Sequence, residues 1–326
     1  MRTFLAALVL SLLATPASAA LVLYDGFDYP AGAQINGQTN TAYGVSWSKP
    51  SAPAGNSATA LIDAADVHYP GLPNEADRSL GLSRTTQSNI SRIAIPGSPY
   101  NHNSASTSVF FSFVMQMTSV VSTSDTIAAS ATHRDGDFIA GFTSSADSNP
   151  ITMAGANSYA GQVRIRRELD GNGVQTGEYE LGFHKNNSGG AGNWAPTWDT
   201  TQEFAEDETV FVVGEYQFNA DGVEGIQNDV VRMWINPTPG AAAPTPSVVS
   251  SFGNDVYTTI AGPVNVQGNI NSFWFRDGST FLPGPTLVDE LRVGTTFASV
   301  TPIPEPSTFA LAGLGLALAG LTRRKR

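Results

Sequence analysis

Apolar and polar residues alternate with a period of two through most of the chain, which is the pattern of half-buried strands. The clearest run covers residues 108–117, where every second position is apolar: Val109, Phe111, Phe113, Met115 and Met117. Further strands are predicted at 21–24, 92–95, 138–142, 161–167, 179–183, 209–218, 229–236, 271–276 and 287–293. Turns rich in Gly, Asn, Asp and Pro separate these runs, and no long stretch has helical periodicity. The pattern therefore predicts an all-β fold of two packed antiparallel sheets.

The strands belong to a single predicted domain, residues 20–302. The run Asp170-Gly171-Asn172-Gly173 is typical of a hairpin turn between two neighbouring strands. The Pro- and Ala-rich stretch 237–246 is interpreted as a loop, because strand-like sequence resumes on both sides. Residues 31–59, rich in Gly, Ser, Asn and Ala, are predicted to be irregular and to lie over one sheet.

The first 19 residues have the three parts of a secretory signal peptide. A basic residue, Arg2, precedes an apolar run at 4–13, and small residues follow at the spacing that a signal peptidase recognises. Cleavage is predicted after Ala19, with Ala17, Ala19 and Ala20 forming the cleavage site. The alternative is a buried N-terminal helix. The signal predicts that signal peptidase is a partner and that the domain is exported.

A second apolar segment, 309–321, lies near the other end of the chain. It is about 20 Å long as a helix, which is short for a membrane core of about 30 Å. Four basic residues follow and would remain on the cytoplasmic side: Arg323, Arg324, Lys325 and Arg326. A proline-rich triplet precedes it: Pro304, Glu305 and Pro306.

This order of triplet, short helix and basic end resembles the PEP-CTERM sorting signal of Gram-negative bacteria, over residues 303–326. The resemblance implies that an exosortase, an integral-membrane sorting enzyme, processes the tail near the triplet. The resemblance also implies that the protein is delivered to the outer surface of the cell, often alongside exopolysaccharide production. An ordinary C-terminal membrane anchor is the alternative, and both place the domain outside the cytoplasm.

Composition excludes several chemistries. The 326 residues include no cysteine, so disulfides, thiolate metal sites and a cysteine nucleophile are excluded. The net charge is −11, and five of the 17 basic residues but only one of the 28 acidic residues belong to the two ends. Residues 20–302 therefore carry a formal charge of about −15, which argues against nucleic acid as a partner. The four histidines have no zinc-ligand spacing.

Several short motifs, spread over nearly all of residues 20–302, resemble those of concanavalin A-like, laminin-G-like jelly rolls. They lie at 25–29, 44–48, 209–214, 229–237 and 288–296. The resemblance implies a two-sheet jelly-roll sandwich with a concave face and a frequent role in binding glycans or proteins. It also implies that the first and last strands pair, which would bring Asp25 and Asp28 near Asp289. Calcium favours such oxygen ligands, so these three aspartates are the predicted calcium ligands. A loop pair, Asp135 and Asp137, is a weaker candidate.

Candidate residues for catalysis are few. Glu178 and Glu180 are two apart on a predicted strand and would project from the same face, as in laminarinase-like hydrolases. The third acid of that motif is missing, so the pair is interpreted as an acidic strand edge. The run Glu206-Asp207-Glu208 is interpreted as a solvated turn. No catalytic residue is predicted.

Aromatic side chains are the remaining candidates for ligand contact. Trp234 and Trp274 lie within predicted strands and are assigned to the core. Trp194 and Trp198 lie in a loop rich in Gly, Asn and Pro, where an indole can stack on a sugar or cap the sandwich. The sequence thus predicts an exported, non-catalytic surface or matrix protein that binds extracellular polysaccharide. The alternatives are a glycoside hydrolase or polysaccharide lyase on the same fold, and a purely structural protein.

Overall fold

The structure is a computed structural model. It describes residues 21–49, 60–73, 78–83, 89–101, 108–120, 137–144, 159–170, 174–185, 196–218, 228–251, 257–258, 266–267, 269–277 and 282–302.

The first sheet has eight antiparallel strands. In chain order these are β1 (Leu21–Asp25), β4 (Leu61–Asp63), β5 (Ser79–Leu82), β7 (Ser108–Met117), β12 (Thr209–Gln217), β13 (Val230–Ile235), β14 (Val248–Ser250) and β18 (Thr286–Gly294). Their spatial order is β14-β13-β12-β7-β18-β5-β4, and β1 also pairs with β18. The first and last strands are thus neighbours, as the jelly-roll resemblance implies.

The second sheet also has eight strands. In chain order these are β2 (Thr39–Asn40), β3 (Val45–Ser48), β6 (Asn89–Ala94), β8 (Asp137–Thr143), β9 (Tyr159–Leu169), β10 (Gln175–His184), β11 (Thr197–Trp198) and β17 (Ser272–Asp277). Their spatial order is β11-β10-β9-β8-β17-β6-β3-β2. A small hairpin joins β15 (Tyr257–Thr258) to β16 (Val266–Gln267), and α1 (Phe297–Val300) is a single helical turn.

Aromatic side chains from both sheets form the centre of the core. Phe111 on β7 packs edge-on against Phe142 of the second sheet at 5.1 Å between ring centroids, and it lies 5.1 Å from Phe273. All five apolar alternating positions predicted on β7 are buried in this core. Gly214 lies directly opposite Phe111 on β12, and a Cβ atom there would overlap the phenyl ring. The alternation therefore determines which face of β7 is buried. Gly214 has no side chain, and this leaves room for the Phe111 ring.

The outer face of the first sheet is covered by a second apolar layer. Trp234 on β13 packs between Phe110 of β7 and Phe297 of α1, with ring centroids 6.3 and 5.0 Å away. The loop after β4 contributes further buried residues to this layer, Val67 and Leu72. A capping box fixes α1, in which the Thr296 side chain accepts a hydrogen bond from the Ser299 backbone. This layer covers part of the outer face of the first sheet.

The predicted all-β, concanavalin A-like jelly-roll sandwich of two antiparallel sheets is confirmed. Trp234 and Trp274 are buried as predicted, although they lie in layers on the outer faces rather than between the sheets. One part of the predicted irregular region is a strand, since β3 pairs with β6 at Trp47 and Ser48. The predicted signal helix and tail helix lie outside the described residues. In the part of the chain that the structure describes, no helix has the length and apolar character needed to cross a membrane.

Candidate ligand site on the second sheet

The β9–β10 hairpin presents a regular set of side chains on the outer face of the second sheet. Leu181 and Phe183 of β10 point into the core, so the residues between them point outward. Three cross-strand pairs follow on this outer face: Glu180 with Arg166, Gly182 with Arg164, and His184 with Gln162. Polar side chains from two strands therefore line one continuous strip.

Trp198 of β11 lies at the edge of this strip. It pairs with Gly182, and a Cβ atom on Gly182 would be 2.5 Å from Cε3 of the indole. The missing side chain lets the ring rest directly on the strand, and the indole is half-buried. The Arg166 guanidinium lies over the same ring, 4.5 Å from its centroid. Trp198, one of the two predicted ligand-contact residues, is thus held in place by the strand at Gly182 and by the guanidinium over its ring.

An ion pair ties Arg166 to Glu180. The two side chains are 2.5 Å apart at Nη2 and Oε2, and Arg166 Nε donates to the same oxygen at 2.6 Å. Glu180 is only 7% exposed, whereas the Arg166 side chain keeps about a quarter of its surface. Two donors on one carboxylate fix the guanidinium plane above Trp198.

Carboxylates gather beside this ion pair. One carboxylate oxygen each from Glu168, Glu180 and Glu203 lies within 4.8 Å of the others. The pKa of Glu203 is raised by loss of hydration and by the charges of Glu168 and Glu178, and its carboxyl also shares a hydrogen bond with Glu178. Sequence reasoning singled out Glu178 and Glu180 but missed Glu168 on β9 and Glu203 after β11. The additional acids come from a neighbouring strand and a loop, and not from the same strand as in the laminarinase-like motif.

Further along the same face lies a cluster of three aromatic residues. Tyr159, Trp274 and Phe138 pack against each other, with ring centroids 5.2 to 5.9 Å apart. Two guanidinium groups lie against the Phe138 ring, that of Arg276 at 4.2 Å and that of Arg164 at 5.5 Å from the ring centroid. Arg276 is also ion-paired with the buried Asp137. Burial of the Tyr159 ring raises the pKa of its hydroxyl.

The three predicted calcium ligands lie near the first and last strands. Asp25 is buried, and its oxygens accept from the Phe27 amide at 2.9 Å, the Tyr29 hydroxyl at 2.7 Å and the Trp47 indole at 2.9 Å. Burial raises the pKa of Asp25, and these donors oppose that shift. Its two oxygens are therefore engaged by the chain itself and offer little to a cation. No contact described for Asp28 joins it to Asp289.

Asp289 differs from Asp25. It is fully buried, Oδ1 accepts from the Glu290 amide at 2.6 Å, and Oδ2 has no hydrogen-bond partner. Burial raises its pKa to about 9, the charges of Glu290 and Asp66 contribute in the same direction, and hydrogen bonds from the Glu290 and Val67 amides oppose the shift. An unpartnered carboxylate oxygen facing two other acids fits either a bound cation or a proton. The calcium site stays a prediction, and its best-placed ligand is Asp289.

Other predicted residues are in different places. The run Glu206-Asp207-Glu208 is an exposed turn, as interpreted from the sequence. The remaining predicted residues lie outside the described residues: Trp194, Asp135, the cleavage-site alanines, the Pro304–Pro306 triplet and the four terminal basic residues.

Comparison with protein families identifies the tail. Residues 302–326 match the model of the PEP-CTERM protein-sorting motif. The tail is a sorting signal. The chain is therefore an exported protein sorted to the cell envelope, and an exosortase is the implied processing partner. Comparison with curated proteins finds no match.

Several solved structures are similar to the sandwich at low identity. An alginate lyase Aly36B double mutant with alginate tetrasaccharide is 13% identical, with a TM-score of 0.47 over 86% of this chain and 98% of that one. Endo-1,3-beta-glucanase from Streptomyces sioyaensis is 13% identical, with a TM-score of 0.42 over 86% and 97%. The metal-free lectin I-B4 from Griffonia simplicifolia is 10% identical, with a TM-score of 0.34 over 83% and 98%.

Proposed function

We propose that this protein is a non-catalytic surface component that binds extracellular polysaccharide through the Trp198 strip, defined as Trp198, Arg166 and Glu180. The observation that supports this is the half-buried indole fixed on Gly182 beside an ion pair. The exposed part of the indole contacts the apolar face of a sugar ring at little cost in conformational entropy, because the side chain is already fixed.

The polar members of the strip complement the hydroxyl groups of a sugar. Arg166 retains donors beyond those that Glu180 engages, and a carboxylate accepts several hydrogen bonds at once. Because the ion pair fixes both side chains, binding does not have to order them first. The outer face of the first sheet carries a similar ion pair, Arg232 with Glu215, but the neighbouring rings of Phe110 and Trp234 are buried in an apolar layer.

A binding screen tests this proposal. The purified full chain is incubated with a panel of neutral and acidic polysaccharides, with and without calcium, and retention and released products are both measured. Trp198→Ala is expected to weaken binding of any retained polysaccharide about tenfold, because one aromatic stacking contact is lost. Tyr69→Ala is the matched control, since Tyr69 is a half-buried ring packed on the other sheet. Equal binding by both variants would contradict the proposal.

A glycoside hydrolase is the second candidate function. The observation that favours it is the grouping of Glu168, Glu180 and Glu203, because retaining glycosidases place two carboxyl groups about 5 Å apart. Glu203, with its raised pKa, would serve as the acid, and Glu180, which Arg166 holds in place, would be the second carboxyl group. Release of products that Glu203→Gln abolishes, without loss of retention, would replace the binding proposal with this one.

We propose further that the exosortase cleaves the tail near Pro304–Pro306 and that the apolar segment spans the membrane before cleavage. The match over residues 302–326 and the terminal basic residues support this order of events. Replacing the three triplet residues with alanine should leave the uncleaved chain in the membrane fraction. Unchanged processing would contradict it.

A further inference from the structure

The chain is fixed to the sandwich up to Thr301. Val300 and Thr301 are fully buried. The Ser112 hydroxyl on β7 donates to the Val300 carbonyl at 2.6 Å. The Gly240 amide donates to the Thr301 carbonyl at 2.7 Å, and the Thr301 hydroxyl donates to the Phe297 carbonyl at 3.0 Å. Release of this segment would expose Phe297 and Val300 and break these hydrogen bonds, so the segment stays bound in the folded protein.

The sorting signal follows this fixed segment without a spacer. It begins at residue 302, and its triplet begins at Pro304. Three residues of fully extended chain span at most about 11 Å, so the triplet begins within that distance of Thr301. Even a 100-residue protein has a radius of gyration of about 13 Å. An enzyme that cleaves near the triplet therefore has to lie against the surface around Thr301.

The loop between β13 and β14, residues 237–246, forms part of that surface, because its Gly240 is bonded to Thr301. We call it the exit loop. Residues 240–245 are exposed. The loop is nevertheless held in place, since four of its ten residues are proline and the Trp234 indole N–H donates to one of its carbonyls at 2.8 Å. A partner can bind such a loop at little cost in conformational entropy.

The exit loop is uncharged although the domain is acidic. Residues 233–254 contain no charged side chain, and neither do residues 293–304. Residues 20–302 as a whole carry a formal charge of about −15. Charged side chains are depleted at the centre of protein interfaces, because burying an unpaired charge is costly. The chemistry of the loop therefore fits contact with another protein at the place where the processing enzyme has to lie.

We infer that the exit loop is the surface through which the folded domain contacts the exosortase, so that the enzyme binds the sandwich as well as the tail. This inference rests on the proposed cleavage near Pro304–Pro306 and adds a second binding region to it. The loop contact is the same before and during cleavage, so it contributes to substrate binding and leaves the chemical step unchanged.

Cleavage kinetics test the inference, with the full chain and the exosortase both purified in a nonionic detergent. Ala242→Asp places a charge on the exposed part of the exit loop and should raise KM about tenfold with kcat unchanged. Val174→Asp, at a residue that is 61% exposed in the β9–β10 turn, is the matched control and should be cleaved like the wild type. Both substitutions are on the surface, so the melting temperatures should match that of the wild type.

A lengthened chain gives a second measurement. A Gly/Ser spacer of about 8 residues between Thr301 and Pro302 leaves the sorting signal intact and removes the need for the domain to lie against the enzyme. This chain should show the raised KM, and Ala242→Asp should have no further effect in it. A lengthened chain that is cleaved with the KM of the wild type would contradict the inference.

The outcomes separate this inference from the sorting proposal beneath it. If alanine in place of the triplet blocks cleavage while Ala242→Asp keeps the wild-type KM, the exit-loop contact is overturned and the sorting proposal stands. Cleavage that survives loss of the triplet overturns both. An equal rise in KM for Val174→Asp overturns the contact, because net charge then explains the effect. A defect of Ala242→Asp that appears only in anionic lipid vesicles also overturns it and assigns the loop to the membrane surface.

Discussion

Replacing Asp289 with asparagine should change how the stability of the protein depends on pH. In the folded chain, burial raises the Asp289 pKa to about 9, whereas an unfolded aspartate titrates near 3.9. Between these values the folded state holds one proton more than the unfolded state. Stability therefore falls as pH rises, by about 1.4 kcal/mol per pH unit from this group. Below about pH 4 both states are protonated and the group has no effect on the slope.

The magnitude follows from that slope. Asparagine keeps the Oδ1 acceptor for the Glu290 amide and places an N–H donor where Oδ2 has no partner. It does not titrate, so the stability of Asp289→Asn relative to wild type should increase by about 4 kcal/mol between pH 5 and pH 8. The matched control is Asp63→Asn, which makes the same substitution at an exposed aspartate on β4.

Urea unfolding at pH 5, 6, 7 and 8 in EDTA measures both differences. A constant difference between Asp289→Asn and wild type would refute the reasoning, because Asp289 would then titrate alike in both states. Calcium extends the measurement. If the ion binds the ionised Asp289, millimolar calcium should stabilise the wild type at pH 8, and EDTA should reverse the effect. Asp289→Asn should show no calcium response.

Two glycines give further predictions. Gly182→Ala should displace the indole of Trp198, since its Cβ would lie 2.5 Å from Cε3; polysaccharide retention should fall to the level of Trp198→Ala, with little change in the melting temperature. Gly214→Ala should destabilise the domain by about 1 to 3 kcal/mol, because the new methyl overlaps the Phe111 ring. Thermal unfolding checks it, and an unchanged melting temperature would contradict it.

The sandwich can be predicted from the sequence because burial of one face of a strand produces alternating apolar and polar residues. The five alternating residues of β7 identify its core face without knowledge of any partner strand. The pairing of β1 with β18 came from the resemblance and is also present. The four-residue strand β3 was missed, since its short run lies in a region rich in small and polar residues.

The candidate site was harder to predict because it depends on register. From the pairing of Leu169 with Gln175, a regular hairpin would place Glu180 opposite Arg164. An irregularity between Gln175 and Tyr179, where Gly177 has φ +92°, shifts the register by two residues. Glu180 therefore meets Arg166. No local pattern encodes that shift, and none connects Glu203 with Glu168, which lies 35 residues earlier.

The position of α1 has a consequence for the orientation of the protein on the cell. Phe297 and Val300 of α1 pack into the apolar layer on the first sheet, so the chain leaves the sandwich at Pro302 on that side. The sorting signal begins at the same residue. The sorting signal therefore continues from the side of the first sheet, whereas Trp198 lies on the outer face of the second sheet.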